Sequence, residues 1–478
     1  MVGPDFARPE APDTRAFRDE KQAEGVAASS TPAEAEKRQR IVLGKKLSVE
    51  WWDLFRSPEL DTVIRQALDG NRTLAAARAT LAQAQESAVQ SGAARLPSAT
   101  LGGTAQRTRG NGAASGVDAS TPAQNLFSIG PTVSYNLDIF GGLARDTERQ
   151  QALAESQRYL LGGAYLALTG NLVTQAVQIA SLRAQIGALE EMVAQDEKNR
   201  DNVAKLFELK EATKIDVEAA TSQLETDRTQ LPPLRQQLSV ARHAAAVLVG
   251  ETPADWTPPD FDLDEFTLPE ELPLSIPSEL VRQRPDVLAA EAQLHAASAA
   301  VGVAAAQQYP NLVLSAGMSQ QALSPSTLFA GPATIWNVAS SLTAPLFNWG
   351  ALDAQRRSAE HALDASLFTY QQTVLASFAQ VADLLDALEH DTELLEAQRR
   401  ALQSTQNSAK LTRTAFATGE AKLIQVLDAE RLYQQARLGY IRAKAQRYID
   451  TAQLLVATGG GWSSWQEGGN AAAENKTD

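Results

Sequence analysis

Apolar residues along this chain follow two rhythms, and the two rhythms alternate twice. Ile179, Leu182, Ile186, Leu189 and Val193 are spaced by threes and fours, and Val381, Leu388, Leu395 and Leu402 form a sevenfold row. Both stretches predict helices that pack through narrow coiled-coil seams. From about 143 to 208 such a helix would be on the order of 100 Å long. A period of two appears elsewhere: Ile129, Val133, Tyr135 and Leu137 share one face while Ser128, Thr132, Ser134 and Asn136 share the other. Leu312, Leu314, Ala316 and Met318 repeat that pattern, as do Trp336, Val338 and Leu342. These stretches predict strands near 98–107, 126–137, 311–320 and 334–345, the first two joined by the polar loop Gly110 to Ser120.

The two rhythms recur because the chain is internally duplicated. Asn71 to Leu101 aligns without a gap 213 positions further on, so that Leu81 meets Leu294 and Pro97 meets Pro310; Ala212 to Gly250 aligns 209 positions on, Val217 meeting Val426 and Gly250 meeting Gly459. A period this long signals two copies of one large unit rather than a solenoid. The expected organisation is an extended arm over 1–50, repeat one over 51–250 and a Pro/Asp-rich linker over 251–277. Repeat two follows over 278–459, and a polar, disordered tail over 460–478. Helices are expected over about 58–95 and 279–308, ending at Pro97 and Pro310.

Composition narrows the function. With 57 acidic against 43 basic residues the net charge is −14, which disfavours a nucleic-acid partner. There is no cysteine, so thiolate chemistry and disulfides are excluded. His243, His295, His361 and His390 are scattered without metal-ligand spacing, and neither a nucleophile elbow nor a phosphate-binding loop is present. No enzyme activity, cofactor or metal is expected. No run of eighteen consecutive strongly apolar residues occurs, so a transmembrane helix is excluded and strands are left as the membrane element. Met1 to Asp5 leads straight into polar sequence, so no signal peptide is expected in the chain as given.

Four strands with one apolar and one polar face cannot close a barrel alone, and an open edge in lipid would leave backbone groups unpaired. Two chains give eight strands, whose interior side chains fill; three give twelve, the first count with room for a passage. The expected fold is mainly α with a small membrane β-barrel: a trimer forming a 12-stranded β-barrel continued by a long α-helical tube. The competing reading is a soluble coiled-coil scaffold with short surface hairpins.

Several motifs then converge. Trp51-Trp52-Asp53-Leu54-Phe55, Leu137-Asp138-Ile139-Phe140-Gly141-Gly142, Arg284-Pro285-Asp286-Val287, Pro345-Leu346-Phe347-Asn348-Trp349-Gly350 and the closing Gly459-Gly460-Gly461-Trp462 occur in order across nearly the whole chain. Together they resemble the outer-membrane efflux proteins of the TolC superfamily, and more closely the lipoprotein branch typified by OprM and NodT. The resemblance implies a homotrimeric duct in the outer membrane of a Gram-negative bacterium, in contact with outer-membrane lipid, with a periplasmic α-helical barrel. It further implies a periplasmic adaptor and an inner-membrane pump of the resistance-nodulation-division class as partners, and small molecules, drugs or toxic compounds, as cargo. Protein secretion is the alternative within the superfamily. Val2 to Phe6 resembles the segment after the lipid-bearing cysteine of that branch; Met1 stands near the cysteine's place, so a processed form or alternative start is expected.

The same resemblance places two periplasmic tips at Leu209, Lys210, Glu211, Ala212 and Thr213, and at Thr418, Gly419, Glu420, Ala421 and Lys422, as adaptor contacts. Gly419 suits a left-handed helix end, whereas Lys210 in its place puts the first turn's geometry in question. Asp428 and Gln425 sit where relatives carry acidic residues at the narrowest point, with Asp216 and Phe416 as candidates for holding the tip closed. Asp428 and Arg431 could equally be an ordinary surface pair.

Overall fold

The computed structural model describes residues 1–10, 17, 39–43, 47–110, 122–274 and 277–462. Most of the loop expected at 110–120, much of the arm and the last sixteen residues of the expected tail lie outside them. The chain forms two compact units. One comprises residues 1–9, 79–158 and 289–371, and the other 10–78, 159–288 and 372–478.

In chain order the elements are β1 (Arg40–Leu43), a 3-10 turn (Trp51–Phe55), α1 (Pro58–Gly70), α2 (Arg72–Ala93), β2 (Ser98–Thr108), β3 (Gln124–Leu137), α3 (Gly142–Glu208), α4 (Lys214–Arg228) and α5 (Leu231–Val249). Then follow β4 (Glu271–Leu274), α6 (Pro277–Leu280), α7 (Pro285–Ala306), β5 (Asn311–Ala322), β6 (Thr334–Thr343), α8 (Ala351–Ala417) and α9 (Leu423–Ala457). The single helix expected over 58–95 is broken at Asn71. Its side chain accepts from Leu74 N at 2.8 Å to cap α2 and donates to Leu248 O at 2.7 Å.

The first unit holds an antiparallel sheet of order β2-β3-β5-β6, in which β2 and β6 are the open edges. Register turns the alternation into rows. Ala99, Val133, Ala316 and Val338 line up across four strands, and the next row is Thr100, Thr132, Gly317 and Asn337. One face is therefore apolar and the other carries small polar groups. The apolar face is exposed: Trp336 and Val338 show about three quarters of their surface (75% and 74%). Beyond β6, Leu346, Phe347 and Trp349 are also exposed, Trp349 at 89%. At the other strand-to-helix junction Asp138 caps α3, accepting from Leu143 N at 3.0 Å and Ala144 N at 2.7 Å. In the same unit the first residues are pinned: Arg145, itself buried, donates to Asp5 at 2.5 Å and Glu148 at 2.7 Å, and Phe6 stacks on His295.

The second unit is built on the seams. Ile179, Leu182, Ile186 and Leu189 of α3 are buried, as are Val381 and Leu388 of α8; Leu395 and Leu402, nearer the helix end, are only half-buried. The Trp51-Trp52 motif is core, Trp52 donating to Asp61 at 3.0 Å and Trp51 lying edge-on to both Trp52 and Phe55. Gly460 to Trp462, assigned to the tail by composition, are packed instead. Trp462 is buried, donates to Gln283 O at 2.6 Å and lies so close to Gly162 that a Cβ there would come within 2.4 Å of its ring. Within the expected arm and linker, β1 and β4 pair in parallel, a contact between two four-residue strands that neither composition announced. Windows of α3 and α7 have the length and average composition to cross a membrane, which tempers the sequence argument. Over half of each window is buried inside the protein, so protein side chains cover much of their apolar surface.

Candidate functional site

Both tips are built the same way. After α3, Lys210 adopts φ 65° and the amides of Glu211 and Ala212 both reach back to Leu206 O, at 2.8 and 3.3 Å. After α8, Gly419 adopts φ 80° and the amides of Glu420 and Ala421 reach back to Ala415 O, at 2.8 and 3.2 Å. Lys210 thus takes the left-handed conformation that glycine takes in the second repeat. The two turns match, and the strain of a side chain in that region is carried by one tip alone.

The residues that start the returning helices also correspond. Thr213 caps α4: its hydroxyl accepts from Asp216 N at 3.2 Å, while the Asp216 carboxylate accepts from Thr213 N at 2.8 Å and from the hydroxyl at 2.6 Å. These hydrogen bonds, first from the Thr213 side chain and then from its backbone, hold the Asp216 carboxyl below the usual carboxylate range. In repeat two Gln425 does the same work without a charge, its Oε1 accepting from Lys422 N at 2.8 Å. Asp216 and Gln425 are equivalent helix-start residues that close the first turn of their own helix.

Asp428 lies one turn further along α9, exposed, with Arg431 Nη2 3.6 Å from its carboxylate. Phe416 is half-buried against a cluster of Val203, Ala220, Leu423 and Leu427, together with Ala212 and Val217. This cluster ties both tips into one apolar knot. Leu209, Ile215 and Ile424 stand outside it, and Leu209 and Ile215 are exposed at 68% and 79%. Ile215 and Ile424 occupy equivalent positions and were not singled out from sequence, although an isoleucine at the second position of two duplicated helices was readable there. Behind the knot, Arg413 of α8 forms an ion pair with the buried Glu430 of α9, Nη2 to Oε2 at 2.6 Å.

A sheet with two open edges and an exposed apolar face, joined in one chain to two matched helical hairpins, defines a membrane channel subunit of duplicated architecture. The chain belongs to the outer membrane efflux protein family, whose model matches residues 63–251 and 276–460. It is 32% identical over 429 residues to the pyoverdine export outer membrane protein OpmQ of Pseudomonas aeruginosa, covering 88% of this chain and 89% of that protein. It is 29% identical over 420 residues to the cation efflux system protein CusC of Escherichia coli, covering 86% and 88%. Among solved structures, the outer-membrane channel OprN aligns with a TM-score of 0.86 at 26% identity, over 96% of this chain and 99% of that one. The protein is an outer-membrane efflux component of the TolC superfamily, and the family consists of channel and transport proteins.

Proposed function

We propose that three copies of this chain form the passive exit duct of a tripartite pump for small molecules. The observation that carries the reading is the four-stranded sheet whose edges, β2 and β6, are unpaired among the described residues. In lipid each edge needs a partner strand, and β2 of one copy against β6 of the next satisfies both. Twelve strands with the Thr100, Thr132, Gly317 and Asn337 row inward leave a wet passage, and Trp336 and Val338 then face lipid.

The tips are the adaptor-docking elements in this reading. Leu209, Lys210, Glu211, Ala212 and Thr213, and Thr418, Gly419, Glu420, Ala421 and Lys422, offer exposed turns, with Ile215 and Ile424 as apolar anchors beside them. The adaptor bridges to an inner-membrane pump of the resistance-nodulation-division class. Relatives named for pyoverdine export and for cation efflux point to small solutes as cargo rather than proteins, and their chemical variety fits a duct that leaves selection to the pump.

Asp428 is the gate residue. Three copies around a threefold axis repel one another and favour cations at the constriction. Its partner Arg431 is held only by an exposed pair, worth about 0–1 kcal/mol, which a partner protein can displace. Gln425, Asp216 and Phe416 hold the tip closed by setting the helix starts and the apolar knot. Planar-bilayer recording tests the duct and its gate together. The wild-type trimer should conduct weakly with cation preference, and Asp428→Ala should raise the conductance and weaken the preference. A reconstituted trimer that conducts in neither form overturns the duct; unchanged conductance and selectivity in Asp428→Ala overturns the gate alone.

A further inference from the structure

Each repeat buries two aspartates against one another across the seam of its hairpin. Asp196 of α3 faces Asp227 of α4, both 4% exposed. Asp391 of α8 faces Asp450 of α9, at 9% and 8%. In each pair one carboxyl is held by amides: Gln223 Nε2 donates to Asp227 Oδ2 at 2.6 Å and Gln230 Nε2 to Oδ1 at 3.0 Å, while Gln446 Nε2 donates to Asp450 Oδ2 at 3.0 Å. In the other carboxyl one oxygen, Oδ2 of Asp196 and Oδ2 of Asp391, is buried and has no donor among the described residues. A proton held between the two carboxyls supplies the missing donor.

The duplication shows that the fold does not need these acids. α3 and α8 are both 67 residues long and align at an offset of 209, the same offset that aligns the returning helices. Leu182 and Ala241 therefore stand in repeat one where Asp391 and Asp450 stand in repeat two, and Thr405 and Ala436 stand where Asp196 and Asp227 do. Leu182 and Ala241 are buried, so the same seam closes with apolar side chains. Two carboxyls facing one another there give up the apolar contact and introduce a group that titrates.

We propose that each hairpin carries a proton clasp: Asp196 with Asp227, and Asp391 with Asp450, share one proton in the tight seam, and losing it in alkaline surroundings loosens the two helices. Burial, followed by the hydrogen bond and charge of the partner aspartate, pushes Asp196 and Asp391 each up to about 7. Around Asp196, Glu430 of α9 pushes the same way and Arg413 of α8 opposes it; around Asp391, Arg447 of α9 and His390 of its own helix oppose. A carboxyl whose native pKa is raised stabilises fully below the ordinary carboxylate range, and that contribution is lost as pH rises through the native value. The clasps sit at different heights, Asp196 twelve residues before the end of α3 and Asp391 twenty-six before the end of α8, so loosening would reach along the hairpins rather than act at one point.

Infrared difference spectroscopy and amide exchange on the full-length protein in detergent read the clasp without any transport assay. A carboxylic-acid C=O band should persist near pH 6 and vanish by about pH 8.5. Borrowing each repeat's own alternative, Asp391→Leu with Asp450→Ala should remove about half of that band, and Asp196→Thr with Asp227→Ala the remainder. Exchange in residues 190–200 and 385–395, corrected for its intrinsic pH dependence, should speed up as pH rises from about 4 to about 7 and level off above that in the wild type, and not in the combined variant. Should that variant fail to fold, Asp196→Asn with Asp391→Asn keeps a donor that does not titrate and should show pH-independent corrected exchange. A band absent near pH 6, or a rise in corrected exchange up to about pH 7 that is equal in wild type and variants, overturns the proposal.

Discussion

Asp216 and Gln425 occupy equivalent positions at the starts of α4 and α9 and accept from the amide three residues back, one as a carboxylate and one as an amide oxygen. Only the first can be switched off by acid. Because hydrogen bonds from Thr213 hold the Asp216 carboxyl low, its capping contribution is present above the ordinary carboxylate range and is lost as pH falls through the depressed native value. Amide exchange at residues 213–217, corrected for its intrinsic rate, should therefore rise as pH drops below about 4, while residues 422–426 should be unaffected by protonation of the cap; equal responses would contradict this assignment. The cap was not singled out from sequence, although Thr213-Lys214-Ile215-Asp216 has the threonine-to-acid spacing of a capping box. The conformation of Lys210 was less legible: a lysine does not announce a left-handed turn, and the bonds back to Leu206 O and the apolar knot around Phe416 accompany it. The buried aspartate pairs were not legible, because spacing along one helix gives no register against the next.

Among the elements, the long helices and the four strands of the sheet were readable because their periodicities of about 3.5 and 2 persist over many residues. β1 and β4 were not, being four residues each and drawn from segments more than two hundred residues apart. The meaning of the Arg284-Pro285-Asp286 motif also emerges only in three dimensions. The buried Arg284 guanidinium donates to both Asp286 oxygens, at 3.0 and 2.7 Å, to Gln380 Oε1 of α8 at 2.9 Å and to Ala457 O at the end of α9 at 2.9 Å. It thereby ties the start of α7 to both helices of the second hairpin. Arg284→Ala leaves Gln380 Oε1 and Ala457 O without this donor, while the half-exposed Asp286 returns to water, and should cost about 1–3 kcal/mol in denaturant unfolding. Arg284→Lys should recover little of it, since an ammonium cannot reproduce the forked, planar set of contacts. A loss below about 1 kcal/mol would show that the motif does not hold the hairpin.

At the scale of the whole molecule the duplication explains both the sheet and the hairpins. Each repeat contributes two strands and one long hairpin, so three chains would present six similar but unequal sectors around a passage. The inequalities are specific: Lys210 against Gly419, Asp216 against Gln425, Leu182 and Ala241 against Asp391 and Asp450. They change the chemistry of the wall while its helical frame is kept. Membership of the outer membrane efflux family makes lipid the natural cover for the exposed apolar face of the sheet, and the two open edges require neighbouring strands there. The most direct measurement is the protein mass in the detergent complex, by light scattering, after extraction from membranes. Closure by three copies predicts detergent-dependent solubility and a protein mass of three times 51.2 kDa; a particle of 51.2 kDa that stays in solution without detergent would contradict it.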